Sequence, residues 1–182
     1  MTHPLHDITI QDHRGDNVRL GPLWNERPVV LLFVRHFGCI FCKEQLGEAE
    51  RHRDELEALG AELVVVGNGS VEQAAEFVTE VGTGARVLTD PNRESYCAVD
   101  MKRTMRSSMN LKTIAHGVRA CRSGFRQTKV AGDPFQQGGI VVMSPGDHER
   151  YRYVSEEAGD HPPFEQVLDT LRRYADERSA AE

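Results

Sequence analysis

The sequence predicts an α/β fold in which a central mixed sheet is flanked by helices, and three observations carry that expectation. Pro28 to Val34 is an unbroken apolar run of strand length, the pattern of a strand buried on both faces. Strand-like and helix-like periodicities then alternate along the chain. No low-complexity stretch, internal repeat or Pro/Gly/Ser-rich linker marks a boundary, so residues 1–182 read as a single domain, long enough to bury a continuous core.

The elements follow in order. Ile8 and Ile10, then Val18 and Leu20, alternate with polar neighbours across a turn containing Gly15, which predicts a half-buried hairpin. The Pro28 to Val34 run is the centre of the sheet. From Cys42 onward the apolar positions Leu46, Ala49, Leu56 and Leu59 trace one helical stripe, closed by Gly60 where a left-handed C-terminal residue belongs. A strand over Leu63 to Val66 precedes Ser70-x-x-Gln73, a capping box opening a helix that ends at Gly82. Arg86 to Thr89 is a short strand, and Asp90-Pro91 a helix opening. Gly138 to Met143 and Arg150 to Val154 read as a hairpin joined across Ser144-Pro145-Gly146-Asp147. Asp160-His161-Pro162-Pro163 reads as the cap and start of a last helix rather than as a group performing chemistry; that amphipathic helix presents Phe164, Val167, Leu168, Leu171 and Tyr174 and fades into a charged tail.

Composition narrows the function classes. The chain carries 22 Lys and Arg against 28 Asp and Glu, a net charge of −6, with 39% hydrophobic residues. Mean hydropathy is −0.49 and the pI about 5.8, a balance that argues against wholesale binding to nucleic acid or an anionic membrane. The longest purely aliphatic and aromatic run is six residues, Val29 to Val34, far short of the roughly 20 that span a bilayer. The N-terminal residues lack the basic and apolar regions of a secretory signal, so a cytoplasmic location is expected. Four cysteines are too few for a disulfide scaffold: Cys39 and Cys42 form a Cys-x-x-Cys, while Cys97 and Cys121 stand alone and read as small core hydrophobes or, as the lesser alternative, as resolving thiols.

A buried strand running into a Cys-x-x-Cys at the start of a helix, followed by β-α-β and a closing hairpin plus helix, is the thioredoxin-fold arrangement. Position matters more than spelling, because half a zinc site uses the same spacing. First-turn amides lack intrahelical acceptors and the peptide dipoles add partial positive charge there, so a thiolate is favoured over a thiol. Arg35 and Lys43 flank the pair and push the same way, as does His36 when protonated.

Three motifs in order, Arg35 to Glu44, Gly132-Asp133-Pro134-Phe135-Gln136-Gln137-Gly138-Gly139 and Ala158 to Pro163, resemble the peroxiredoxin-like antioxidant proteins of the alkyl hydroperoxide reductase/thiol-specific antioxidant class. Within that class the chain resembles the peroxiredoxin-like 2 group, which includes prostamide/prostaglandin F synthase. The resemblance implies a thioredoxin-like (peroxiredoxin-like) fold and reduction of a peroxide, endoperoxide or disulfide at Cys39 and Cys42, with thioredoxin or a similar dithiol as recycling partner and no cofactor. Ordinary peroxiredoxins read Pro-x-x-x-Thr-x-x-Cys, and Cys39 stands where the Thr aligns if Cys42 is the peroxidatic residue. They also carry an Arg before the late strand, where this chain has Gln136-Gln137.

Two assignments therefore stay open. In the first, Cys39 attacks as the more exposed sulfur at the helix start and Cys42 resolves; in the second, the roles reverse. Phe41, with Ile40, shapes an apolar approach to the thiols. His36 is either a proton donor to the leaving oxygen or a packed, hydrogen-bonded histidine, and Gln136 and Gln137 either face the substrate or simply enter a strand. Residues 101–132 hold eight Lys or Arg and no Asp or Glu, leaving 14 basic and 28 acidic groups elsewhere. This reads as a basic insertion, either a collar for an anionic small-molecule substrate or a solvated helical face, with Met101, Met105 and Met109 as a pocket lining or a core stripe. Besides a thiol oxidoreductase, the pattern admits a biosynthetic enzyme using the thiolate on an organic substrate, and a metal-binding module using Cys39 and Cys42. Oligomeric state, homodimer included, is left open.

Overall fold

A computed structural model of the chain describes residues 2–103 and 130–180. Its seven strands form one mixed sheet in the order β2-β1-β5-β4-β3-β6-β7. The strands are β1 (Thr9–Asp12), β2 (Asn17–Arg19), β3 (Val29–Phe33), β4 (Glu62–Gly67), β5 (Arg86–Thr89), β6 (Gly139–Ser144) and β7 (His148–Val154). β3, β4 and β5 run parallel, and β6 pairs antiparallel with β3. The described helices are α1 (Ile40–Arg51), α2 (Arg53–Ala58), α3 (Val71–Val81), α4 (Glu94–Ala98) and α5 (Glu165–Ser179). None is long and apolar enough to cross a membrane.

β3 is buried along its whole length because both sheet faces are covered. Val30 and Leu32 point into a core shared with α1, α3 and α5 through Leu46, Ala49, Phe77, Val167, Leu168 and Leu171. Val29, Leu31 and Phe33 point into a second core closed by Leu20, Trp24, Tyr96 and Met143. Burial of each such side chain is worth about 2 kcal/mol, and a two-sided strand collects it at every position, which is why no polar residue interrupts the run. The expected N-terminal hairpin forms, with Ile10 opposite Val18. The capping box is complete: Gln73 N donates to Ser70 Oγ at 3.3 Å, and Ser70 N donates to Gln73 Oε1 at 2.9 Å. Gly82 ends α3 in the left-handed conformation, with φ 62°.

Three elements differ from expectation. The single helix expected from Cys42 to Leu59 is two, broken at His52 (φ −101°, ψ 15°), whose amide folds back to Ala49 O and whose ring stacks on Phe164 at 5.6 Å. Asp90 does accept amide and hydroxyl hydrogen bonds from Ser95, at 2.7 and 2.6 Å, but the helix opens only at Glu94, because Arg93 sits in a left-handed conformation. Asp160 does not cap α5. It accepts from Tyr153 Oη at 2.5 Å and Glu156 N at 2.8 Å, while Glu48 of α1 accepts from the Phe164 amide at the helix start. The last helix is thus moored to α1 by tertiary contact rather than capped locally.

Most of the basic segment, with Cys121, Met105 and Met109, lies outside the described residues. Within them, Met101 is buried in the second core, and Arg103 donates to Asp133 at 2.7 Å.

Candidate active site

The β3 chain leaves the sheet at Val34, crosses Arg35 to Gly38, and enters α1 with Cys39 as its N-cap residue (φ −75°, ψ 120°) and Cys42 in the first turn. Lys43 N donates to Cys39 O at 3.1 Å, closing the first helical hydrogen bond. The two sulfurs are neighbours on one turn, both as free thiols. The order of exposure differs from expectation, since Cys39 is 1% exposed and Cys42 4%. Both residues are buried, so being first in the motif does not bring Cys39 to the surface. Ile40 and Phe41 are packed into the core, and Phe41 shares a pocket wall with Cys42.

Arg35 is the organising side chain. Its Nη1 lies 3.7 Å from Cys39 Sγ, its Nη2 donates to Pro134 O at 2.7 Å, and its amide donates to Cys42 Sγ at 3.2 Å. The sulfurs consequently have opposite tendencies. Hydrogen bonding from the Cys42 thiol lowers the Cys39 pKa, opposed by burial and reinforced by the Arg35 charge and by the amides of Cys42 and Phe41. Burial pushes the Cys42 thiol well up, with the neighbouring Cys39 adding to the rise and Arg35 opposing it.

Other candidates divide. Lys43 turns away to Glu80, with Nζ 2.7 Å from Oε1. His36 is 4% exposed and its Nδ1 has no hydrogen-bond partner, so it is packed but not bonded there. Burial, then the charges of Arg35 and Lys43, bring its pKa down to about 4 against the pull of Asp133, and the ring is neutral at pH 7. Gln136 and Gln137 are buried and turn to backbone: Gln136 Nε2 donates to Lys102 O at 3.1 Å and Gln137 Nε2 to Phe135 O at 3.3 Å. The glycines beyond them serve close backbone approach, since a Cβ on Gly138 would collide with Phe33 O and one on Gly139 with Tyr153 O. Cys97 is exposed, not a core residue, because α4 directs Ser95 and Tyr96 inward instead. Among the described residues no cluster of three or more His, Cys, Asp or Glu could hold a metal.

Sequence reasoning passed over Asn68, which ties the site together. It is buried, donates from Nδ2 to Arg35 O at 2.8 Å, and accepts from Asp133 N at 2.8 Å. Phe37 N donates to Ala131 O at 3.0 Å across the same seam. Thus the motif loop and residues 131–134 are clamped from both sides, and Pro134 O is held where Arg35 meets it. Asn68 follows directly on β4, and the carboxyl ends of parallel strands are where α/β proteins gather their sites; that was the available signal.

A parallel strand delivering a dithiol to a helix N-terminus beside an arginine defines a thioredoxin-like thiol protein. Comparison with known proteins agrees. The family model described as AhpC/TSA antioxidant enzyme matches residues 49–157. The chain is 33% identical over 173 residues to the chloroplastic thioredoxin-like protein AAED1 of Arabidopsis thaliana, covering 90% of this chain and 70% of that one. It is 30% identical over 177 residues to human peroxiredoxin-like 2C, covering 89% and 76%. Among solved structures, peroxidoxin BcpB from Mycobacterium tuberculosis superposes with a TM-score of 0.62 at 19% identity, covering 91% of this chain and 92% of that one, and shares the fold. The chain belongs to the AhpC/TSA antioxidant enzyme family and is an oxidoreductase. The thioredoxin-like fold and the family resemblance read from the sequence both hold.

Proposed function

We propose that the protein reduces a peroxide through Cys39, with Cys42 as the resolving thiol and thioredoxin or a similar dithiol of a reducing compartment such as the cytosol returning the electrons. The observation that carries this reading is the asymmetry around Arg35: its guanidinium lies 3.7 Å from the Cys39 sulfur, while its backbone amide donates to Cys42. A thiolate forms more readily at Cys39, and it is the thiolate that attacks. Cys39 S⁻ takes the terminal peroxide oxygen, giving Cys39–SOH and an alkoxide that is protonated to the alcohol. Cys42 then displaces the hydroxyl as water, giving the Cys39–Cys42 disulfide, and thiol–disulfide exchange with the external dithiol restores both thiols. With Lys43 paired to Glu80 and His36 neutral, Arg35 is the cation beside the developing oxyanion. Because both sulfurs are buried, substrate entry requires local rearrangement of the residues that cover them.

The test is single-turnover oxidation of Cys39→Ser and Cys42→Ser with a small alkyl hydroperoxide. Cys42→Ser is expected to consume one equivalent of peroxide and accumulate a sulfenate on Cys39 that is trapped by dimedone. Cys39→Ser is expected to lose the fast phase by at least about a hundredfold. A fast phase that survives in Cys39→Ser and vanishes in Cys42→Ser would assign attack to Cys42.

A further inference from the structure

Cys42 poses a problem that the cycle above leaves to the protein. Its thiol must lose a proton to attack the Cys39 sulfenate, yet it is 4% exposed and packed in the core. At that exposure direct transfer to bulk water is slow, so an internal acceptor speeds the step.

Behind Cys42 lies a cavity of about 10 Å³ whose wall combines Phe33 and Phe41 with the polar residues Gln45, Ser155, Glu157 and His161. That volume fits about one water molecule, and a buried water needs polar partners. Gln45 supplies one: it is 7% exposed, and its Nε2 has no hydrogen-bond partner. His161 lines the same cavity, with its Nε2 3.6 Å from Glu44 Oε2, and both side chains are largely buried. A histidine paired with a carboxylate, on the wall of a water-sized space that also contacts a thiol, is a layout that suits a general base acting through one water. We propose that the His161–Glu44 pair removes the Cys42 proton during disulfide closure, through a water positioned by Gln45. Because His161 acts through that water, it is the base of the resolving step, and Glu44 is its positioning residue.

The step balances without a further reactant. The Cys42 proton passes to the water–His161 path, the Cys42 sulfur bonds to the Cys39 sulfur, the S–O bond breaks, and the departing hydroxide takes a proton from solvent to leave as water while His161 releases its own, so the net products are the disulfide and one water. Cys42 is oxidised and the sulfenic sulfur is reduced by the same electron pair. Three other charged groups line this space. Arg35 is engaged with Pro134 O and Cys39, Asp160 accepts from Tyr153 and the Glu156 amide, and Glu157 is a second carboxylate on the cavity wall. His161 with Glu44 is the histidine–carboxylate couple among them.

This inference rests on Cys39 attacking and Cys42 resolving, and stopped-flow oxidation with an alkyl hydroperoxide separates the two. Dimedone-trappable sulfenate reports the first step, and disulfide formation, read by mass after acid quench, reports the second. His161→Gln is expected to form sulfenate at the wild-type rate but to close the disulfide about 30-fold more slowly at pH 7, with sulfenate accumulating. The deficit should shrink steadily as pH rises, because hydroxide replaces the base. Glu44→Gln, a milder change at the far end of the pair, is expected to show the same pH-dependent pattern at smaller amplitude. Closure at the wild-type rate in both variants overturns the inference, as does a slowing in either that is constant from pH 6 to about 10, the mark of a displaced backbone rather than a missing base. Absence of sulfenate on Cys39 in the wild type would instead overturn the cysteine assignment itself.

Discussion

Replacing His36 by Gln tests the electrostatics of the site through stability. His36 sits between Val34 and the motif loop, 4% exposed, and its pKa falls from 6.5 to about 4 through burial first and the Arg35 and Lys43 charges second. A depressed histidine pKa means that, between those two values, the unfolded chain binds a proton that the folded chain refuses. Stability is therefore lost as pH falls from 6.5 toward 4. The linkage relation gives a loss of about 2 kcal/mol between pH 7 and pH 5, rising to about 3 kcal/mol at pH 4. His36→Gln removes this dependence while leaving the contributions of the other histidines and of the carboxylates in place. In urea titrations at pH 7 and pH 5, the wild-type midpoint should fall by about 1 M more than that of the variant. Equal falls in the two proteins would refute the reasoning, and would mean that the ring is protonated in the folded state or readily reached by water.

Gly138→Ala should destabilise by about 3 kcal/mol and lower the thermal midpoint by about 10 °C, because its Cβ would meet Phe33 O where β6 joins β3; a calorimetric scan checks it. Asn68→Ala strands Arg35 O and Asp133 N, a cost of about 3 kcal/mol in urea unfolding. By releasing the loop that holds Arg35 against Cys39, the same change should slow alkylation of Cys39 at pH 7 by about tenfold relative to wild type. Unchanged alkylation would show that Arg35 keeps its place without the Asn68 clamp.

The strands and the dithiol were legible because their signals are local. An apolar run such as Val29 to Phe33 has no stable place except between two covered faces, the Ser70/Gln73 pair closes its own hydrogen bonds, and a Cys-x-x-Cys places both sulfurs on one helical turn whatever surrounds it. Expectations failed where long-range packing outweighed a local preference. The stripe from Cys42 to Leu59 shows no break, yet His52 leaves the helix to stack on Phe164. Asp160 has the chemistry of a cap but is held by Tyr153 and the Glu156 amide.

What the sequence by itself determined was therefore the order of elements, the family resemblance and the presence of a dithiol at a helix start, since each depends on contacts a few residues apart. Which sulfur lies beside a guanidinium, and what lines the space behind its neighbour, were decided only by tertiary structure. The charge on Arg35 reaches Cys39 because Pro134 O holds the guanidinium across 99 positions of chain, and the cavity behind Cys42 exists because α1 meets the residues that follow β7. Electrostatic and proton-transfer effects fall off over a few ångströms of space, and spacing along the chain carries no record of such distances.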